Sequence, residues 1–211
     1  VTEQLDRAFF ARPVLEVAPA LLGMVVEHGG VAIRLTEVEA YAGSEDPGSH
    51  AFRGPTPRNQ VMFGPAGHLY CYFSYGMHWA TNVVTGQEGS ACAVLLRGGE
   101  VVRGVELARE RRQRGRRTPV TARDLARGPG NLARALELGQ EQYGSDVCAV
   151  DAAVRFVRPQ SHETPGGRRR QGPRVGVSGD GGSAEAFPWR FWLEDEPSVS
   201  AYRPATRRLS R

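Results

Sequence analysis

Apolar and polar positions alternate with period two over residues 31–42 and 68–84, and both stretches predict strands. In VAIRLTEVEAYA that period places Ile33, Leu35, Glu37, Glu39 and Tyr41 on one face. HLYCYFSYGMHWATNVV predicts a hairpin turning near Tyr75 and Gly76. Tyr70 and Tyr72 then share one face, and Leu69, Cys71 and Phe73 the other. Further strands are predicted over 91–97, 147–157, 174–177 and 189–193. Residues 6–22 read as an entry segment and a helix, and 100–113 as an amphipathic helix with a basic end. Residues 121–138 give two helical pieces broken at Gly128, Pro129 and Gly130, with capping-box spacing from Thr121 to Asp124. Residues 43–67 form a long loop whose aromatic and charged content points to function. Residues 159–185 read as flexible loops. No internal repeat and no βαβ rhythm is visible, so the expectation is one α+β domain over 1–211 with a mainly antiparallel sheet.

Composition narrows the chemistry. The chain has 211 residues and a net charge of +4, and all 27 of its basic residues are arginine. Without lysine, no lysine amine can form a Schiff base with a sugar or carbonyl. The basic balance suits an anionic partner. No apolar run approaches the ~18 residues that span a membrane. The first residues lack a basic start and a long apolar stretch, so no secretory signal is expected and the cytoplasm is the expected compartment. Cys71, Cys92 and Cys148 are scattered and odd in number, which fits partly buried thiols and neither a disulfide framework nor a CxxC metal site.

Two readings of Glu39 compete from the strand alone: a structural acid paired with arginine, or a general base that polarises a water. Glu37 shares the predicted face and leaves the choice open. Five aromatics (Tyr41, Tyr70, Tyr72, Tyr75, Trp79) and three histidines (His50, His68, His78) crowd into about forty residues. Aromatic faces hold a cationic ring or stack a nucleobase. Tyr75 at a hairpin tip could wedge into a base stack. Arg53, Arg58 and Asn59 are loop residues fit for phosphate. The histidines lack a metal-ligand rhythm, so no zinc is expected.

In order, EVEAY, SH, TPRN, YCYFSYGMHW, AVLLR and RGPGNLARAL resemble the alkyladenine (3-methyladenine, N-methylpurine) DNA glycosylases. FFARPVLEVAPALLG, PRVGV and PWRF extend the resemblance over residues 8 to 202. It implies a curved antiparallel sheet, open-barrel-like and similar to a formyltransferase C-terminal domain, ringed by helices and bearing a protruding hairpin. It also implies excision of a flipped, damaged purine by a cofactor-free, metal-free bacterial monomer acting on double-stranded DNA at the nucleoid. Glu39 matches the catalytic glutamate and Arg97 the arginine that positions its water. Tyr41, His50 and Tyr72 match the residues that sandwich the base. Asn82 matches the asparagine that rejects normal 2-amino purines. Tyr75 matches the side chain that fills the vacated stack. Met77, His78, Arg58 and Arg174 are the further expected DNA contacts. His78 and Trp79 depart from the plainer aromatics of some relatives, and the arginine-rich stretch 166–170 has no counterpart role. It is expected to touch DNA non-specifically.

3-Methyladenine and 7-methylguanine are the expected substrates, with hypoxanthine and ethenoadenine open. Two rivals remain: a magnesium-dependent nuclease built on Glu37, Glu39 and Asp46, and a non-catalytic nucleic-acid-binding module.

Overall fold

The computed structural model describes residues 3–74, 76–159 and 167–205. Two twelve-residue strands, β2 (Val31–Ala42) and β5 (Cys92–Arg103), pair along their whole length and form its spine. Around them run α1 (Arg7–Phe10), α2 (Val14–Leu21), β1 (Val25–His28), β3 (Leu69–Ser74) and β4 (His78–Thr85). Then come α3 (Val105–Gln113), β6 (Ala126–Arg127), α4 (Pro129–Leu136), β7 (Arg155–Val157), β8 (Arg169–Gly172) and β9 (Arg190–Leu193). The sheet runs β3-β4-β5-β2-β1-β7, with β6 on β5 and the β8–β9 pair on β2. All its pairings are antiparallel. The α+β expectation is met: the nine-stranded sheet is not closed, and four α-helices are present among the described residues.

The period-two reading of β2 breaks at one place. The β2–β5 register shifts between Leu35 and Glu37 and again between Glu37 and Val38. Ile33 and Leu35 lie in the main apolar core, but so do Val38 and Ala40. A β-bulge flips the parity of everything beyond it. Glu37, Glu39 and Tyr41 therefore stand on the face opposite Ile33 and Leu35, and no carboxylate enters the core. Gly98 is the β5 residue facing the bulge, and a Cβ there would lie 2.9 Å from the Ser198 carbonyl and 3.2 Å from Glu37 Oε2. Past the bulge, the edge of β2 that pairs with β1 through Val31 to Arg34 is taken over by β9 through Glu37 to Glu39.

Other boundaries also differ from the pattern. β5 runs on to Arg103, and α3 starts only after Gly104, whose φ of 74° turns the chain. Extended pairing with β2 overrides local helix preference over 100–103. Gly128, Pro129 and Gly130 open α4 instead of breaking a helix, with proline in its first turn where a missing N–H costs nothing. Thr121 donates to the Asp124 carboxylate, so the capping box does not form. Only Arg155–Val157 of the predicted 147–157 strand pairs, and residues 174–177 form a turn. The stretch read as loop contains β8.

The main core fills one side of the sheet under α2 and α4, with Leu69, Cys71, Val83, Val94 and Leu96 pointing into it. On the other side, Tyr70 and Ala93 join Ala51 and Met62 from the long 43–67 loop in a second apolar cluster. The hairpin alternation is as the sequence predicts, except that Phe73 is half exposed near the tip.

Candidate active site

The face opposite the main core carries a row of paired residues across five strands. Tyr70 on β3 pairs with Asn82 on β4, Asn82 with Leu95 on β5, Leu95 with Glu39 on β2, and Glu39 with Arg190 on β9. Above this row opens a cavity of about 470 Å³. Its lining includes Glu39, Tyr41, His50, Arg58, Tyr72, His78, Asn82 and Arg97, so the sheet and the 43–67 loop together gather eight residues singled out from sequence. The lining also includes Val175 to Ser178, of which sequence reasoning placed 175–177 in a strand.

The two glutamates differ in what surrounds them. Both are fully buried. Glu37 Oε1 accepts from Arg97 Nε (3.0 Å), Arg190 Nε (2.7 Å) and Ser200 Oγ (2.8 Å), and its Oε2 accepts the Ser200 N–H (2.8 Å). Each carboxylate oxygen has about two acceptor positions, so Oε1 is crowded by three donors while Oε2 takes one. Burial pushes the Glu37 carboxyl up, but Arg97, Arg190 and Ser200 outweigh it and hold it below the usual carboxylate range. Glu39 accepts three bonds: Tyr41 Oη–H (2.9 Å) and Arg97 Nη1 (3.4 Å) on Oε2, and the Val175 N–H (2.7 Å) on Oε1. Each acid keeps one acceptor position, on Glu37 Oε2 and on Glu39 Oε1, and of the two only Glu39 lines the cavity. Arg97 bridges the two acids and also reaches Ser200 Oγ at 3.3 Å. Burial disfavours its charge, yet the two glutamates hold its pKa above the ordinary value.

The aromatic walls are built from different elements. His50 sits edge-on to Tyr72 at 4.6 Å between ring centres, and its Nδ1 lies 3.0 Å from Tyr70 Oη. Loss of water around the imidazole, with help from the Arg58 charge, lowers its pKa, so His50 is neutral at pH 7. Burial pushes Tyr70 up to about 12. Burial, then the Glu39 charge, raises Tyr41 well above its ordinary value, so its hydroxyl stays a donor. Asn82 is buried and donates Nδ2–H to the Tyr70 carbonyl at 3.1 Å.

The outer contacts sort differently. Arg58 is exposed at the rim, 5.3 Å over the Tyr72 ring. Met77 is 73% exposed at the end of the hairpin, and Tyr75 lies outside the described residues. His78 packs on the start of α4, where a Cβ at Gly130 would lie 2.4 Å from its ring. Two expectations fail. Asn59 is buried and spends its amide on the loop itself, bonding Thr56, His50 and Gly54. Arg174 is fully buried in an ion pair with Asp46 and cannot reach a DNA backbone. The nuclease alternative fails on its donors: Glu37 is paired with Arg97 and Arg190 and Asp46 with Arg174, and no metal-holding group of three acids, histidines or cysteines exists among the described residues.

Such a pocket, with a buried carboxylate under aromatic walls, is what the resemblance implies, and comparison with known proteins decides it. A profile of the methylpurine-DNA glycosylase family matches residues 8–197. The chain belongs to the methylpurine-DNA glycosylase family. Relatives whose names assign them provisionally as 3-methyladenine DNA glycosylases agree. One from Streptomyces avermitilis is 51% identical over 98% of this chain and 95% of its own. One from Frankia casuarinae is 52% identical over 94% and 93%, and one from Leifsonia xyli subsp. xyli 52% over 95% and 93%. As a DNA glycosylase, the chain is a hydrolase of N-glycosyl bonds in DNA. The non-catalytic alternative falls with that membership. No helix among the described residues is long and apolar enough to cross a membrane.

Beside the glycosylase cavity runs a second groove of about 980 Å³ that shares Phe73, His78 and Pro129 with it. Arg111, Arg112, Arg114, Arg116 and Arg134 line it. Burial, with the like charges of Arg116 and Arg134, pushes Arg112 down to about 10, still cationic at pH 7.

Proposed function

We propose that this glycosylase, acting as a monomer, turns 3-methyladenine, 7-methylguanine and related damaged purines out of the duplex. It cuts the N-glycosidic bond with a water activated by Glu39, leaving an abasic site in base excision repair. One observation carries this reading: of the two buried acids, Glu39 is the one that lines a cavity walled by Tyr41, His50 and Tyr72. Alkylation at N3 or N7 makes the purine cationic. The base then leaves more easily and binds aromatic faces better. The Glu39 charge, held by Arg97, also favours the cationic sugar that develops as the bond breaks. A damaged pair costs less to open.

Asn82 stands where it can contact the purine edge and discriminate against normal bases. Arg58 at the rim, Met77 on the hairpin and the arginine groove supply contacts to the backbone and stack. With no lysine in the chain, the reaction stops at the abasic site.

A gel assay on methylated duplex and on duplex with one hypoxanthine tests this, run in EDTA with and without hot alkali. Strand breaks that appear only after alkali are the expected result. Breaks without alkali would contradict a monofunctional hydrolase.

A further inference from the structure

Asp46 and Arg174 form the one ion pair among the described residues with both side chains fully buried. Arg174 Nη1 donates to Asp46 Oδ2 (2.5 Å) and the Ala40 carbonyl (2.9 Å), and Nη2 to Asp46 Oδ1 (2.6 Å) and the Gly181 carbonyl (2.7 Å). Asp46 also accepts the N–H groups of Ala42 (3.2 Å) and Gly48 (2.8 Å). A buried pair gains little stability over apolar packing of the same volume. Its placement suggests another purpose.

Asp46 ties down the loop that carries Gly48 to His50, and Arg174 ties down the turn that carries Val175 to Ser178. Both segments line the cavity. They meet so closely that a Cβ at Gly48 would lie 2.6 Å from Arg174 Nη2, and one at Gly181 would lie 2.3 Å from the Gly48 nitrogen. Two of the donors that hold Glu39 depend on this contact. Val175, next to Arg174 in the chain, donates its N–H to Oε1 at 2.7 Å. The Arg174 guanidinium lies 4.5 Å over the Tyr41 ring, whose hydroxyl donates to Oε2 at 2.9 Å.

We propose that Asp46 and Arg174 are positioning residues: a clamp that closes two cavity walls on each other and aims the Val175 amide and Tyr41 hydroxyl at Glu39. The consequence for catalysis rests on the reading of Glu39 as the general base. On the proposed reading DNA affinity comes from the hairpin and the exposed groove arginines Arg114, Arg116 and Arg134, so the clamp acts on the rate of excision and not on binding.

The test compares Asp46→Asn and Gly48→Ala with the wild type. Three quantities are read: single-turnover excision of 7-methylguanine, Kd for duplex carrying an abasic-site analogue, and amide hydrogen exchange in the DNA-free protein. Excision should slow roughly 10- to 100-fold, because a misplacement of about 1 Å in a reacting group costs that much. Affinity should stay within about threefold, the mark of an interaction made only in the transition state. Exchange should quicken over 173–178 and not over the paired centre of β2 and β5. Should Asp46→Asn fail to fold, Gly48→Ala carries the test, because it displaces the guanidinium while keeping both charges. Wild-type excision in a folded variant, unchanged exchange over 173–178, or a rate loss that tracks general loss of core protection would each overturn the clamp. If the wild type itself leaves 7-methylguanine in place, the substrate reading is at fault, and the exchange data still decide whether the clamp exists.

Discussion

Glu37 and Glu39 stand two residues apart, equally buried, and the arginines around them divide their labour. Glu39→Gln removes the proposed general base, and its one amide oxygen keeps either the Val175 N–H or the Tyr41 and Arg97 donors, which bond different carboxylate oxygens. Single-turnover excision should fall by about 10²-fold or more, with affinity for an abasic-site duplex retained. Retained excision in that variant would remove Glu39 from the mechanism. Glu37→Gln should behave in the opposite way. It leaves Arg97 and Arg190 short of a buried counter-charge, at about 3–5 kcal/mol of stability, read as a lowered denaturant midpoint. A pH dependence goes with it. The folded carboxyl of Glu37 is held below its ordinary value of 4.5, so its contribution is complete above about 4.5 and is lost as pH falls through the folded value. Acid titration of stability should therefore show a smaller loss below that pH in Glu37→Gln than in the wild type. Parallel curves would assign the acid sensitivity elsewhere.

At the scale of elements, the bulge in β2 and the β3–β4 hairpin decide how the site is presented. The bulge takes the acids off the core face, and its cost is met by Gly98 on β5, which leaves room for Glu37. Near the hairpin's tip Phe73 and Trp79 pack at 5.4 Å and His78 rests on α4, and Met77 is exposed beyond them. Tyr75, which the sequence pattern and the family resemblance put at the turn, is the proposed wedge. Tyr75→Ala should weaken binding to lesion-containing duplex by about tenfold or more, since one base–aromatic stack is worth roughly 1–3 kcal/mol. Its melting temperature should match the wild type. Equal affinity for lesion duplex would count against the wedge.

At the scale of the whole molecule, the arginines beside the cavity divide by burial: Arg111 and Arg112 are buried and bonded to backbone carbonyls, while Arg114, Arg116 and Arg134 are exposed. The α3–α4 groove gathers five arginines next to the pocket. The arginine-rich stretch is partly neutralised in the folded chain, because Arg170 bonds Glu194 through Nε and Nη2. Arg168 and Arg169 remain as candidates for phosphate. Replacing both with alanine should reduce the slope of log Kobs against log[salt] by up to about 2, at roughly 0.9 for each phosphate no longer neutralised. An unchanged slope would take this edge off the DNA path.

Much of this was legible in the chain. Regular alternation marked β2 within its observed limits, placed both hairpin strands, and put Tyr70 and Tyr72 on the face away from Leu69 and Cys71, because burial on one side of a sheet writes itself into period two. The ordered motifs pointed to the family and to the lining residues Glu39, Tyr41, His50, Tyr72, Asn82 and Arg97. What alternation could not carry was the irregular part: a bulge, a helix start delayed to Val105, a glycine-flanked proline that opens a helix. Each is set by a partner strand or packing contact distant in sequence, which overrides local preference. The same holds for charge. Composition made the chain basic and free of lysine, but arginines look alike in sequence. Only the tertiary structure decided that Arg174 is buried against Asp46, that Arg97 bridges two acids and that Arg58 stands at the rim. An ionic group's role depends on which opposite charge and how little water it meets, and both are fixed by residues far away along the chain.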